Sequence, residues 1–169
     1  MQIGDIHIGR PETANPIVAD VLEVSALWDE LVSRYNAIEF TQIVQNFAHD
    51  VDLKLILSKG LFNTLERQVD KLEAEMNKLK IPLPERPPKS VNTPSTSGIL
   101  QDKFIFGLLF TGMQSMLSSH IKHVQVITTM DGLRKMLIDF VHEELSLFDK
   151  MILYGKLKGW LRNPPKFSP

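Results

Sequence analysis

The sequence predicts an all-α fold, a four-helix up-down bundle with one long crossover between the second and third helices. Apolar residues recur in steps of three and four along four segments, which is the spacing of one face of an α-helix. A proline-rich stretch divides these segments into two pairs and cannot be part of a continuous helix. At 169 residues the chain is long enough to bury one core, so we expect a single domain.

The first helix is predicted to begin at Asn15-Pro16, because asparagine caps orphan amides and proline at the first helical position has no amide to lose. Residues 1–14 contain glycine and proline without periodicity, so we expect an extended N-terminal leader there. The bundle is then expected to occupy residues 15–158. The predicted core stripe of the first helix comprises Ile17, Val21, Val24, Trp28, Leu31, Tyr35 and Ile38.

The second helix is predicted to follow a turn at His49-Asp50. Asp50 is expected to cap it, and Asp52 lies where the positive end of the helix dipole favours an acid. Without this turn the helical pattern would give one abnormally long helix. The predicted core stripe of the second helix comprises Leu53, Leu57, Leu61, Leu65, Val69, Leu72, Met76 and Leu79.

A crossover is predicted for residues 81–100, where the composition changes abruptly to proline, serine and threonine. Loops above about 12 to 15 residues are uncommon in compact domains and need a reason. Extended proline-rich chain covers about 3.1 Å per residue, so this segment is long enough to return along the whole bundle. We therefore expect the third helix to begin where the first hairpin turns.

The third and fourth helices are predicted to be antiparallel neighbours, because Thr128-x-x-Asp131 resembles a capping box and leaves almost no loop. Gly159 and Pro164-Pro165 end the helical pattern, so residues 159–169 are expected to form a C-terminal tail pinned by Trp160. Two helical hairpins joined by one long crossover is the connectivity of ferritin-like bundles. The predicted core stripes comprise Phe106, Leu109, Phe110, Met113, Leu117, His120, Val124 and Ile127 in the third helix, and Leu133, Leu137, Phe140, Val141, Glu144, Phe148 and Met151 in the fourth.

The composition argues against several classes of function. Nineteen Lys and Arg residues balance twenty Asp and Glu residues, so no strong field is available to bind nucleic acid or an anionic membrane. The absence of cysteine excludes disulfides, thiolate metal sites and cysteine nucleophiles. The N-terminus lacks a signal-peptide pattern, and no stretch reaches about 18 uninterrupted apolar residues. We expect a cytoplasmic protein without nucleic-acid or membrane partners.

Several short motifs occur in an order that resembles a known family. They are Leu27-Trp28 and Arg34-Tyr35 on the first helix, HDVDLKLIL at 49–57, IPLPERPP at 81–88 and KLKGWLRNPPKF at 156–167. Together they are similar to the spore-coat-like family of spore-forming bacteria, which has affinity to the spore coat protein F group. The resemblance implies a ferritin-like bundle of unknown specific function, with spore association and no catalytic residues to carry over. Many members have two bundles, so self-association is expected to replace the second one here.

A di-iron site of the ferritin type requires Glu-x-x-His on two helices and one glutamate from each of the other two. No glutamate in this sequence is followed by histidine three residues later. We therefore predict no di-iron centre, no catalytic residue and no cofactor.

Polar residues nevertheless lie on the predicted core faces at a similar height. His120, Glu144 and Gln68 are predicted to satisfy one another in a buried polar layer, as buried polar groups must. Two alternatives remain open: a metal ion bound by His120, Glu144, Glu30 and His123, or residues that do not meet. The sequence thus favours a non-catalytic structural or interaction protein that self-associates or binds coat-type partners, and the alternative is a metal-binding bundle with a reduced or vestigial site.

Overall fold

Four helices carry the fold in the computed structural model, which describes residues 2–3, 5–7, 18–88, 90, 100–165 and 167. The second bundle helix is continuous and consists of α2, a π-helical segment and α3. The all-α class predicted from the sequence is confirmed, apart from two paired two-residue strands. The elements are β1 (Gln2–Ile3), β2 (Ile6–His7), α1 (Val21–Phe47), α2 (Val51–Leu55), the π-helical segment (Ile56–Phe62), α3 (Asn63–Lys78), α4 (Asp102–Val126) and α5 (Asp131–Lys158).

Helix α1 begins at Val21, later than predicted. Asp20 and Glu23 form a capping box, in which the amide of Glu23 donates to the Asp20 carboxylate at 2.9 Å and the amide of Asp20 donates to Glu23 at 3.1 Å. Residues 18–20 are not helical, so the predicted start at Asn15-Pro16 is wrong; residues 15–17 lie outside the described residues. A capping box satisfies orphan amides with two reciprocal bonds, whereas an Asn cap supplies one.

The buried face of α1 is rotated relative to the predicted stripe. Leu27, Leu31 and Tyr35 are buried, whereas Trp28 is 39% exposed and Val21 is 80% exposed. The prediction of Trp28 as a core residue is therefore wrong. The buried face also contains charged side chains, which a prediction based only on the spacing of apolar residues does not include.

The turn between α1 and α2 contacts the ends of two further helices. Asp50 caps α2 as predicted, and the amides of His49 and Asp50 donate to the Asp102 carboxylate at 2.7 and 3.0 Å. The ammonium of Lys158 at the end of α5 donates to Asp50 at 2.7 Å and to Asp52 at 3.0 Å. Helix α4 therefore begins, and α5 ends, where the first hairpin turns. This confirms two antiparallel hairpins joined by a crossover, and the description ferritin-like stays a prediction based on that connectivity.

The π-helical segment is a feature that the sequence analysis missed. Leu53, Leu57, Leu61 and Leu65 are separated by three successive steps of four, and each step advances the stripe by about 40° on an α-helix. A π turn contains more residues than an α turn, so it absorbs this drift. Leu53, Leu57 and Leu65 are all buried as a result.

The opposite end of the bundle is held by Glu23. Its carboxylate accepts the Thr129 hydroxyl at 2.6 Å, the Thr129 amide at 2.8 Å and the Met130 amide at 3.1 Å. The predicted capping box of Thr128 and Asp131 is wrong, because Met130 occupies the N-cap position of α5 without a side-chain bond. The carboxylate from α1 satisfies the amides of the turn instead.

Two apolar clusters fill the interior. One joins α1, α3 and α5 with the α4–α5 turn, and the other joins the α1–α2 turn with α4 and the end of α5. By length and composition, α4 is also the one helix among the described residues that is apolar enough to cross a membrane. Its buried face carries core residues of the bundle, including Ile105 and Phe106. A helix that left the bundle would give up these contacts.

Replacing Glu23 with alanine should lower the free energy of unfolding by about 1–3 kcal/mol, because the amides of Thr129 and Met130 lose their buried acceptor. Denaturant titration would measure the loss. Asp139→Ala is the matched control, since Asp139 is exposed on α5 and should change stability by less than about 0.5 kcal/mol. Equal effects of the two variants would contradict the role of Glu23.

The same carboxylate should make stability depend on pH. Burial disfavours its charged form, but the bonds from Thr129, Asp20 and Met130 outweigh this and hold the pKa of Glu23 below its usual range. A lowered pKa in the folded state contributes stability that is present above the unfolded value and lost as the pH falls through the folded one. As the pH is lowered from 5 to 3, the denaturant midpoint of unfolding should therefore fall more steeply for the wild type than for Glu23→Gln. Parallel pH profiles would show that Glu23 does not contribute.

Candidate functional site

The centre of the bundle contains a fully buried arginine. Helix α1 places Glu30 and Arg34 four residues apart, on one helix face, and that face points into the core. The side chain of Arg34 has no solvent exposure, and that of Glu30 has 1%. Burying a guanidinium is costly unless its charge and its donors are all matched, so its partners define the site.

Each nitrogen of the guanidinium has a partner. Nε donates to Gln68 Oε1 at 2.9 Å, and Nη2 donates to Glu144 Oε1 at 3.0 Å. Nη1 donates to the Glu30 carboxylate and to the Glu30 carbonyl oxygen. The ring of Phe140 lies 5.0 Å from the guanidinium carbon, in range of a cation–π interaction. Arg34 thereby connects α1 with α3 and α5.

Two histidines of α4 complete the set of polar side chains around Arg34. His120 Nδ1 lies 2.5 Å from Glu144 Oε2, and its Nε2 lies 3.4 Å from Arg34 Nη1. His123 Nδ1 lies 2.6 Å from Glu30 Oε1. Each carboxylate therefore faces the guanidinium on one side and an imidazole on the other.

A hydrogen-bonded path connects the layer to the surface. Gln68 Nε2 donates to Glu143 Oε2 at 3.1 Å, and the same oxygen accepts from Arg67 at 2.9 Å. The Arg67 side chain is half exposed. Burial opposes ionisation of Glu143, but the bonds from Gln68 and Arg67 prevail and keep its pKa below the usual range.

Glu30 is ionised within this surrounding. Burial would raise its pKa, but the bond with His123 and the charges of Arg34 and His120 lower it further than burial raises it. The buried carboxylate of Glu30 and the partly buried one of Glu144 thus share one guanidinium, and the two imidazoles bind their remaining oxygens. We call the residues Glu30, Arg34, Gln68, His120, His123 and Glu144 the polar layer.

The structure brings together all the candidates named from the sequence. His120 contacts Glu144 directly, Gln68 joins them through Arg34, and His123 contacts Glu30. The sequence analysis missed Arg34, although its spacing of four from Glu30 was visible. Shifting the α1 stripe by one residue, from Trp28 to Leu27, would have placed Arg34 on the core face.

The polar layer does not fit a metal ion in this arrangement. A metal would have to lie among the carboxylates and imidazoles, and Arg34 fills that space with its own positive charge. Within the described parts of the chain, no group of three or more His, Asp or Glu side chains is arranged to hold a metal ion. The layer is therefore a closed set of charge-assisted hydrogen bonds.

The surroundings of the layer leave little room for a substrate. A cavity of about 30 Å³ borders it beside Gln68 and Glu144, a volume suited to about one water molecule. The nearby hydroxyls of Ser115 and Ser118 donate to carbonyls of their own helix, at 3.2 and 3.1 Å.

Comparisons with known proteins agree with the fold and the motifs. A sequence model of the family described as "Protein of unknown function (DUF3231)" matches residues 13–169. The fold is similar to that of a "putative spore coat protein" from Bacillus halodurans C-125, solved at 1.54 Å, with a TM-score of 0.82. The two chains are 20% identical, and the match covers 89% of this chain and 96% of the other. No curated protein matches the sequence. The predicted resemblance is confirmed.

Replacing Arg34 with methionine should lower the free energy of unfolding by about 3–5 kcal/mol, because the buried carboxylate of Glu30 and the partly buried one of Glu144 lose their cation. Chemical denaturation would measure the loss. Adding Glu30→Gln and Glu144→Gln to Arg34→Met removes the orphaned charges and should restore much of the stability. A single variant that loses less than about 1 kcal/mol would show that the guanidinium does not bind both carboxylates.

Replacing Glu144 with alanine should cost about 1–3 kcal/mol, because Arg34 and His120 are left without an acceptor. A double-mutant cycle with His120→Ala should give a coupling energy of at least about 0.5 kcal/mol, since the two side chains are in contact. Asp149→Ala, on the exposed side of the same helix, is the control. Additive effects of the two substitutions would mean that His120 and Glu144 act independently.

Proposed function

Because the chain belongs to the DUF3231 family, whose function is unknown, we propose that it is a non-catalytic structural or interaction protein of a coat-type assembly. The observation that carries this proposal is the position of Arg34. Its guanidinium occupies the centre of the polar layer and uses the carboxylates and imidazoles that chemistry in the core would need. Among the described residues, each buried charge has a hydrogen-bond or ion-pair partner, so the interior is stable and the surface is left for contacts.

We place this role in an assembly formed by copies of the chain or with coat-type proteins. The support is the fold shared with the spore coat protein described above, together with the motifs along the chain. The nearly balanced charge gives no reason to expect nucleic acid or an anionic membrane as a partner. The corresponding location is inside a spore-forming cell, in the cytoplasm or associated with the spore.

A metal-binding bundle is the second candidate function. One observation favours it: Glu30, Glu144, His120 and His123 approach a common centre from three helices. Carboxylate and imidazole are ligands for Zn²⁺ and for iron. For this function the side chain of Arg34 would have to leave the centre.

Elemental analysis and light scattering on the same purified protein would separate the two proposals. We expect no stoichiometric iron, manganese or zinc and a defined oligomeric mass, because the Arg34 guanidinium already occupies the centre of the layer and the role requires association. A stoichiometric metal that is lost in His120→Ala would establish the second candidate. A metal-free monomer at all concentrations would contradict self-association and leave only assembly with other proteins.

Arg34→Ala provides the matched test of the metal proposal. If the guanidinium is what excludes an ion, this variant should gain thermal stability on addition of zinc, whereas the wild type should not respond. A response of both proteins would show that Arg34 does not block the site.

A further inference from the structure

A second region of the molecule has the form of a ligand site. It is a groove between α4, the last turns of α5 and the tail that follows Gly159. Its volume of about 580 Å³ lies within the range of small-molecule sites, about 300–1,000 Å³. The groove does not include the polar layer.

The tail wall of the groove is held in place by the fold. Gly159 has a φ of 66°, which ends α5 and turns the chain, and the Trp160 amide donates to the Gly155 carbonyl at 2.9 Å. At Gly155 an added Cβ would lie 2.4 Å from Phe106 Cζ and 2.9 Å from Leu161 Cγ. Glycine is required there, because it lets the tail pack directly on α5. The groove is therefore preformed.

The floor of the groove is apolar and partly open to solvent. Phe106 is buried at its base, and its ring packs on Trp160 with ring centres 5.9 Å apart. Phe104 and Leu108 line the mouth and are 49% and 38% exposed. An aliphatic chain lying here would cover apolar surface that is now in water.

Three cations border this apolar floor: Lys103, Lys156 and Arg162. No carboxylate is among the residues that line the groove, and none of the three cations has an ion-pair partner in the described part of the chain. Lys158, by contrast, is paired with Asp50 and Asp52. The unpaired cations give the groove an unmatched positive charge.

Two of the cations, Lys103 and Lys156, lie at one end of the groove. Lys103 is in the first turn of α4 and Lys156 in the last turn of α5, and these turns meet at one end of the bundle. The lining continues along α4 to Gln114, about 16 Å away by the helical rise. No charged residue of α4 lines the groove beyond Lys103.

We infer that this groove binds an amphipathic carboxylate, with its aliphatic chain along α4 and its carboxylate beside Lys103 and Lys156. The apolar floor accounts for the chain, and the cations at one end account for the charged head and its orientation. This binding activity is separate from the proposed assembly role and does not depend on it.

Fluorescence of Trp160 would test the inference. Trp28 is the other tryptophan, so Trp28→Phe makes Trp160 the single reporter. Dodecanoate below its micelle concentration should produce a saturable change in emission. Dodecyltrimethylammonium, which has the same chain and the opposite charge, should bind at least about tenfold more weakly, and acetate should produce no change.

Charge variants give the second arm of the test. The double variant Lys103→Gln with Lys156→Gln should bind dodecanoate about tenfold more weakly. Lys135→Gln removes an exposed cation of α5 outside the groove and should leave binding unchanged. Circular dichroism should show unchanged helix content in all three proteins.

Three results of these binding experiments would overturn the inference. They are the absence of saturable dodecanoate binding, equal affinity for the cationic detergent, and equal loss in the double variant and in Lys135→Gln. Association of the chain through Phe104 and Leu108, with no competition by dodecanoate, would also overturn it, because the occupant would then be a second copy.

Discussion

The buried guanidinium of Arg34 is the interaction on which the rest of the structure depends. Removed from water, it requires a counter-charge and a partner for each nitrogen, and it obtains them from Glu30, Glu144 and Gln68. His120 and His123 then bind the carboxylate oxygens that remain. Because these partners come from all four bundle helices, only one alignment of the helices satisfies the whole set. We interpret the polar layer as the feature that sets the register of the two hairpins.

Polar ties at both ends of the bundle support this central one. Glu23 binds the α4–α5 turn at one end, and Asp102 binds the α1–α2 turn at the other. The crossover between the hairpins is long. The entropic cost of closing such a loop grows only slowly with the length of the loop, so the crossover does little to fix how the hairpins align. The alignment of the two hairpins therefore depends on these side-chain hydrogen bonds. The apolar clusters contribute most of the stabilisation, but this contribution is non-directional.

The same layer bears on function. A cluster of carboxylates and imidazoles in a helical bundle suggests metal chemistry, but a cationic side chain already lies within it. A bundle fold alone does not imply an activity, and function has to be argued from each site. Here the core site is closed, whereas the groove near Trp160 is open, apolar and bordered by cations that have no ion-pair partner among the described residues. This distribution supports our proposal that the protein interacts with other molecules through its surface.

The sequence by itself determined the helical class, the turn capped by Asp50, the long crossover and the meeting of His120 with Glu144. Helical periodicity and helix-breaking residues are local properties of the sequence. Because the third and fourth helices are antiparallel neighbours, their core stripes place His120 and Glu144 at a similar height along the bundle. Only the tertiary structure decided the burial of Arg34, the role of Glu23 and the exposure of Trp28. A charged side chain can be buried only if other helices supply its partners, and hydrophobic periodicity within one helix contains no information about those partners.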